Sequence, residues 1–340
     1  MKLNDLQPRK ALQEIILRRE KLLTRIFDKN NLSNDDFETI DSCPICKNSE
    51  VDGFGKKFNV EFVRCRVCCF IYQKTKIKDE VRNNLFRESE YFDATTQNIQ
   101  INTYNKRKYE KFGPILKRIE TVIPAEKPAK LLDIGCSAGY FLDLVREKTQ
   151  WDGVGVELNR IAVDFAQSNG LNVLCENIME ADFENSSFDI ISVFGVMGRL
   201  AQPGAFIKKC NDLLKNKGHL IITTPNCLGY EFSVLGSEHK YFDPLDTNCG
   251  YNINNINRLL ENFSFQTVST GTPGDFDLEI VRRHIEDYDL DIKLNSFEKA
   301  MLFSEDTHMD KARSEFTIFL KKFKMSGLME IIAQKVDGEV

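Results

Sequence analysis

At 340 residues the chain has room for roughly two domains, or for one large domain with additions. An apolar content of 42%, a charged content of 29% and 25 Phe are those of a globular protein and exclude wholesale disorder. The 46 basic residues against 51 acidic ones give a net charge of −5, which argues against a dedicated nucleic-acid binder but leaves room for a local basic patch. No apolar run approaches the roughly 18 residues of a membrane span. Met1 to Gln7 mixes charge with apolar residues and lacks the apolar core of a secretory leader. A cytoplasmic chain is expected, in which the ten cysteines are thiols or metal ligands.

Residues 1–40 are expected to contain an N-terminal helix, because Leu12, Ile15, Ile16, Leu22, Leu23, Ile26 and Phe27 recur at helical spacing. It could pack on the body, cover a substrate or form a dimer seam. Residues 41–78 hold Cys43-Pro-Ile-Cys46 and Cys65-Arg-Val-Cys68, two C-x2-C pairs separated by 18 residues. That spacing predicts a four-thiolate zinc ribbon, which has no open coordination position and so a structural role. Gly53 and Gly55 suit a hairpin between the pairs, Phe58, Val60, Phe62 and Ile71 would form a small apolar face, and Cys69 is a spare thiol. From Ser42 to Lys78 there are eight Lys or Arg against three acids, either a solvated face or a contact for an anionic substrate.

Residues 79–128 read as a helical connector whose face is Ile101, Tyr104, Phe112, Ile115, Leu116, Ile119 and Ile123, ended by Pro124 and Pro128. From 129 the pattern alternates. Short β-type runs at 130–134, 152–157, 172–174, 188–194 and 219–224 are separated by helical stretches near 140–149, 160–169 and 203–215. This predicts an α/β, doubly wound, mainly parallel sheet. A helix at 254–263, a strand at 265–270, charged helices at 275–325 and a last strand at 328–334 complete a 129–340 domain of seven strands. The 275–325 insertion between the final two strands could lie over the active-site edge of the sheet.

Leu131-Leu-Asp-Ile-Gly-Cys-Ser-Ala-Gly-Tyr140 follows a strand and opens a helix, with Gly135 and Gly139 bracketing the turn. Glycine lets the backbone approach a ligand and take angles that other residues avoid, and this loop lies at the carboxyl ends of the strands, where ligands of open α/β sheets bind. The next strand ends at Glu157, an acid placed to accept hydrogen bonds from the two hydroxyls of a ribose. Ser137 occupies the middle-glycine place of the dinucleotide fingerprint and no third glycine follows, so a nucleotide without a pyrophosphate fits better.

On LLDIGCSAGYFL, VGVELNR, SFDIISVFGVM and LLKNKGHLIITTPN, over about 129–270, the chain resembles the class I S-adenosylmethionine-dependent methyltransferases, which implies their Rossmann-like sheet. The resemblance implies that Asp133 and the loop of Gly135, Cys136 and Gly139 hold the methionine end of S-adenosyl-L-methionine. Glu157 would hold the ribose, and Asn177 with Ile178 would meet the adenine. The family's frequent His-Val-Leu-Glu-His after the fourth strand is replaced by Gly195-Val-Met-Gly-Arg199, and a frequent aspartate is replaced by Asn177. The ribbon is similar to those found N-terminal to sugar and other biosynthetic methyltransferases.

For the reacting centre the chain offers His219, His239, His284 and His308. The Glu238-His239 pair lies in the loop after the fifth strand and looks like the glutamate–histidine dyad of some deoxysugar methyltransferases. His239 is expected to be a base or substrate ligand, or else a loop-fixing histidine. Glu238 and Tyr241 join it as catalytic candidates, with Tyr230 and Tyr104 as further acceptor contacts. His219 is expected to be structural, and His284 and His308 to lie on the surface. The expected function is methyl transfer to a small or carrier-linked metabolite, most readily a sugar or sugar nucleotide in glycan or natural-product biosynthesis. The alternatives are an RNA methyltransferase docking through the ribbon and a non-catalytic cofactor-binding or scaffold protein.

Overall fold

The computed structural model describes residues 17–24, 34–57, 60–78, 80–82 and 101–337. Phe58, the expected helix positions Leu12, Ile15, Ile16, Ile26 and Phe27, and most of 79–100 lie outside them; residues 17–24 are helical. Among the described residues no helix is long and apolar enough to cross a membrane.

Among the described residues the N-terminal third contains five short strands: β1 Phe37–Thr39, β2 Val51–Lys57, β3 Val60–Cys65, β4 Ile71–Gln73 and β5 Thr75–Ile77. Helix α1 follows in three consecutive pieces, Tyr104–Lys106, a π turn at Arg107–Lys111, and Phe112–Glu120. The alternating region then gives β6 Ala129–Ile134, α2 Tyr140–Lys148, β7 Trp151–Val156, α3 Arg160–Ser168, β8 Asn172–Leu174, β9 Phe188–Phe194, α4 Pro203–Leu213 and β10 Leu214–Pro225. After it come α5 Tyr230–Leu235, β11 Cys249–Gly250, α6 Ile253–Glu261, β12 Phe265–Gly271, α7 Asp277–Tyr288, α8 Ser296–Phe303, α9 His308–Lys322 and β13 Leu328–Lys335.

Seven strands form one sheet in the order β12-β13-β10-β9-β6-β7-β8. The pairs among β6 to β10 are parallel, and β13 runs antiparallel to both of its neighbours. The apolar doublets of the central strands explain the two-sided core. Leu132, Ile191, Ile222 and Ile331 enter one cluster with α4 and α6, whereas their neighbours Leu131, Ile190, Ile221 and Ile332 enter the other with α1, α2 and α3. A strand turns successive side chains to opposite faces, so a sheet covered by helices on both sides needs apolar residues at every position.

The ribbon obeys the same alternation on a smaller scale. Val63, Cys65 and Tyr72 continue the core of the large sheet, while Val60, Phe62 and Ile71 pack with Phe232, Phe242 and Leu245. Its sheet has the order β11-β4-β3-β2, so the fourth strand is donated by the loop that follows β10. Gly53 and Gly55 do not make the hairpin turn expected of them. Both lie inside β2, where the register shifts between them, and a Cβ on Gly55 would stand 2.2 Å from Ser237 Cβ. The residue is small because another loop passes over it, not because the chain turns there.

Three charged helices, α7 to α9, occupy the expected insertion. Its neck is closed by the Asp277 carboxylate, which accepts the Gly327 amide at 2.6 Å and the Ser326 hydroxyl at 2.7 Å. Val281, Leu302 and Leu320 bury against Tyr230 and Leu235 of α5, so the insertion stands on the segment that leaves the carboxyl end of β10. Gly55→Ala is expected to lower stability by about 1–3 kcal/mol through overpacking. Adding Ser237→Gly should recover most of the loss in a chemical-denaturation measurement.

Candidate cofactor and acceptor site

The turn between β6 and α2 is held in left-handed backbone at three places, Gly135 (φ +70°), Ser137 (φ +52°) and Gly139 (φ +82°). Gly135 and Cys136 donate their amides to the Val156 carbonyl at 2.9 and 3.2 Å, which ties the turn to the end of β7. A Cβ on Gly135 would stand 2.4 Å from a methyl of Val196, so the turn also touches the segment after β9. Glu157 completes the fastening: Oε2 accepts the Ser137 amide at 3.0 Å, and Oε1 accepts those of Leu158 and Asn159 at 2.7 and 2.9 Å. A carboxylate offers about four lone-pair sites, so Oε2 keeps capacity for a further donor.

Asp133 is buried at the end of β6 and accepts the Ser192 hydroxyl at 2.7 Å. Burial pushes its carboxyl up to about 7 despite that bond. The side chains of Cys136 and Ile178 are in the core: the Cys136 sulfur lies against Gly155, so this residue presents only its main chain to the loop. Asn177 caps a turn by accepting the Met179 amide at 3.1 Å. Beside it, an open cavity of about 590 Å³ is lined by Leu158, Leu174, Cys175, Glu176, Asn177 and Glu180. The cavity therefore runs from the residue next to Glu157 to the turn after β8.

The segment after β10 departs from the expected catalytic pair. His239 is buried, and its partner is Glu231 of α5, Nε2 to Oε2 at 3.1 Å. The Glu238 side chain is exposed; adjacent residues diverge here, and only the Glu238 main chain joins the cluster. His239 Nδ1 accepts the Tyr241 amide at 3.0 Å. The proton of the neutral ring is therefore on Nε2, facing Glu231, and both nitrogens are engaged. Burial, reinforced by Lys240 and Lys57, holds the imidazole well below its ordinary range, and burial pushes Glu231 up to about 7.

His284 also corrects an expectation. It is buried rather than on the surface, its Nε2 accepts the Lys240 amide at 2.9 Å, and burial brings it down to about 3. Its ring stacks on His239 at 5.5 Å, joining α7 of the insertion to the loop. His308 is exposed at the start of α9, and His219 is half-buried in β10.

The Tyr241 hydroxyl donates to the Cys249 carbonyl at 3.0 Å, and burial raises it well above its ordinary range. Gly198 is small to admit that hydroxyl, which a Cβ there would meet at 2.0 Å. Tyr104 donates to Asp143 at 3.0 Å within a network with Lys108, and Tyr230 packs on Phe316 of the insertion. Arg199, standing where the family often has histidine, makes a two-pronged ion pair with Asp246 at 2.6 and 3.1 Å.

In the ribbon the four sulfurs of Cys43, Cys46, Cys65 and Cys68 lie within 4.8 Å of one another. Cys43 and Cys68 are 3.6 Å apart, and Cys46 and Cys65 3.4 Å. Tetrahedral zinc at about 2.3 Å from each sulfur requires separations of about 3.8 Å. The residue after the second cysteine of each pair, Lys47 (φ +63°) and Cys69 (φ +56°), is left-handed, so the two knuckles share one backbone shape.

Residues 104–270 match the family model described as a methyltransferase domain. Together with the sheet order and the loop geometry, this decides the assignment. Residues 104–270 are an S-adenosylmethionine-dependent methyltransferase domain. The ubiquinone biosynthesis O-methyltransferase of Glaesserella parasuis serovar 5 is 30% identical over 122 residues, 32% of this chain and 52% of that one. The protein of the same name from Coxiella burnetii is 28% identical over 137 residues, 37% of this chain and 56% of that one. The chain thus spans about half the length of the curated relatives it matches. Among solved structures, Haemonchus contortus phosphoethanolamine N-methyltransferase 2 in complex with S-adenosyl-L-methionine shares the fold, with a TM-score of 0.51 at 14% identity, over 94% of this chain and 74% of that one.

The residues the sequence reading missed are those that fasten the segment after β10. Lys57 donates to the His239 carbonyl at 3.0 Å, and the Gln73 amide donates to the Pro244 and Thr247 carbonyls at 2.9 and 2.8 Å. These partners are 171 to 182 residues apart in the chain, so no local pattern marks them. Glu231 lies only eight residues from His239, and a search for acids within two turns of the histidine would have found it. Because burial favours its neutral acid, Glu231 stabilises the fold fully below its ordinary value near 4.5, and that contribution is lost as pH rises through about 7. Glu231→Gln should therefore flatten the fall in unfolding free energy between pH 5 and 8, removing a loss on the order of 2–3 kcal/mol.

Proposed function

We propose that this chain transfers a methyl group from S-adenosyl-L-methionine to a small or carrier-linked metabolite, with a sugar or sugar nucleotide as the acceptor class. The observation that carries the reading is the triply left-handed loop at 135–139 fastened to Glu157, whose neighbour Leu158 lines an open cavity together with Asn177. Asp133, the backbone of Gly135 to Gly139, Glu157, and Asn177 with Ile178 are the residues that would hold the cofactor, which supplies an electrophilic methyl on a sulfonium sulfur. Such a displacement asks the protein mainly for alignment of the acceptor. In this reading the acceptor side is built by 195–199 and by 226–252, braced by the ribbon.

His239, with both ring nitrogens engaged, acts in this proposal by shaping the loop, with Glu231 as its anchor. Tyr241 and Arg199 face the acceptor region as positioning groups. The names of the O-methyltransferase relatives support an oxygen acceptor, and the likeness of the ribbon to those of sugar methyltransferases supports a sugar. A small acceptor is further supported by the pairing of three of the ribbon's eight cations with groups of the ribbon and its flanking strand. Arg66 pairs with Asp52 at 2.7 Å, Lys76 with Glu38 at 2.6 Å, and Lys74 donates to the Ile40 carbonyl at 2.8 Å. We further propose that Cys43, Cys46, Cys65 and Cys68 bind one structural Zn²⁺.

Calorimetry with S-adenosyl-L-methionine tests the cofactor site. Asp133→Ala and Glu157→Ala should each weaken binding by about 1.5–3 kcal/mol, the worth of a charged hydrogen bond, and unchanged affinity in both would overturn the assignment. Transfer of labelled methyl from S-adenosyl-L-methionine into a fractionated extract tests the acceptor class. Label in a ribonuclease-resistant, low-molecular-weight or glycan fraction is expected, and label destroyed by ribonuclease would replace the metabolite with RNA. Metal analysis should find about one equivalent of zinc, lost together with thermal stability in Cys65→Ser.

A further inference from the structure

The insertion leaves an apolar face uncovered. On α9 and the turn after it Ile318, Phe319, Phe323 and Met325 are 64%, 44%, 56% and 43% exposed, and Phe297 of α8 is 56% exposed. Phe319 lies 4.7 Å from Phe323 and 6.2 Å from Phe316, which in turn meets Phe297 at 5.8 Å, so these side chains form one continuous patch. Leu320, on the opposite side of the same helix, is buried in the insertion core. The helix is therefore seated on its own chain by one stripe and presents a second stripe outward. Single exposed apolar residues are ordinary, whereas a contiguous aromatic patch marks a surface that is covered by something.

The charges on this face identify the cover. Glu315 and Lys322 are exposed and share the outward stripe with Ile318 and Phe319. Glu315 precedes Ile318 by the same three residues by which Lys322 follows Phe319. An antiparallel copy of the helix, related by a two-fold axis passing between Ile318 and Phe319, would set Glu315 of each copy against Lys322 of the other. A two-fold contact requires a patch complementary to itself, and a stripe with an acid and a base equidistant from an apolar centre has that property. An anionic bilayer fits less well, since Glu315, which lies 3.8 Å from Lys311 on the same stripe, would face its headgroups.

We propose that the α9 face of the insertion is a homodimer interface, in which two copies pack α9 against α9 antiparallel about the Ile318–Phe319 centre. Sedimentation velocity on the full chain over a range of micromolar concentrations tests it. The wild-type chain should sediment as a dimer. Phe319→Asp should weaken association by about tenfold or more, a change of about 1.4 kcal/mol or more, with unchanged circular dichroism because the side chain is exposed. Glu315→Lys and Lys322→Glu should each weaken the dimer by juxtaposing like charges, and the double charge swap should restore it, a recovery that a misfolded variant could not show. A wild-type chain that stays monomeric, a dimer indifferent to Phe319→Asp, or a charge swap without recovery would each overturn the proposal. So would a monomer that binds phosphatidylglycerol vesicles and loses that binding in Phe319→Asp, because the occupant would then be a lipid surface.

Discussion

The segment after β10 rests on one constraint, which is that the backbone of a partly buried loop must find hydrogen-bond partners. The segment 226–252 has little regular structure of its own, and the ribbon supplies the missing partners. β4 pairs with Cys249 and Gly250, Gln73 takes the Pro244 and Thr247 carbonyls, and Lys57 takes those of Glu238 and His239. In return, Asn252 and Asn255 donate to the Cys68 carbonyl inside a cysteine knuckle. A satisfied bond is worth about 0.5–1.5 kcal/mol, but a buried group left unpaired costs about 1–3 kcal/mol. The knuckle that carries Cys68 is thus hydrogen-bonded to the end of this segment.

Phe242 makes the same connection through apolar contact. Its ring lies 4.8 Å from Phe54 and 5.4 Å from Phe62 of the ribbon, and 5.7 Å from Phe232 of α5. Beyond it burial shifts the titratable groups toward their neutral forms. Glu231 and Asp277 are pushed up to about 7 and about 6 by burial, while His239 and His284 are pushed down. A low-dielectric interior disfavours the charged form of each, and neutral partners can still exchange hydrogen bonds. The ribbon, the segment after β10 and the helical insertion therefore meet in one cluster.

The glycine loop and the acceptor loop differ in how they are built. The first is local: Gly135, Ser137, Gly139 and Glu157 lie within 23 consecutive residues and are fastened by the strands that carry them. The second is assembled from the ribbon, the main sheet and the insertion. The glycine loop could thus stay constant while the segment after β10 is changed through the ribbon and the insertion.

What the sequence determined by itself is what short-range physics controls. The doublets Leu131-Leu132, Ile190-Ile191 and Ile221-Ile222 demanded a sheet covered on both faces, the left-handed glycines marked the ligand turn, and the cysteine spacing predicted the sulfur cluster. What only the tertiary structure decided are relations between distant residues. Glu238 is next to His239 in the chain, yet Glu231 is its partner, because burial selects the acid that can follow the imidazole into the interior. His284 reads as a surface residue on a charged helix until α7 packs on the acceptor loop and encloses it. Gly53 and Gly55 read as a turn because composition reports flexibility, whereas Gly55 is small to clear Ser237, 182 positions away. Periodicity and spacing carry the first kind of information. The second kind comes into being only when packing brings two segments into contact.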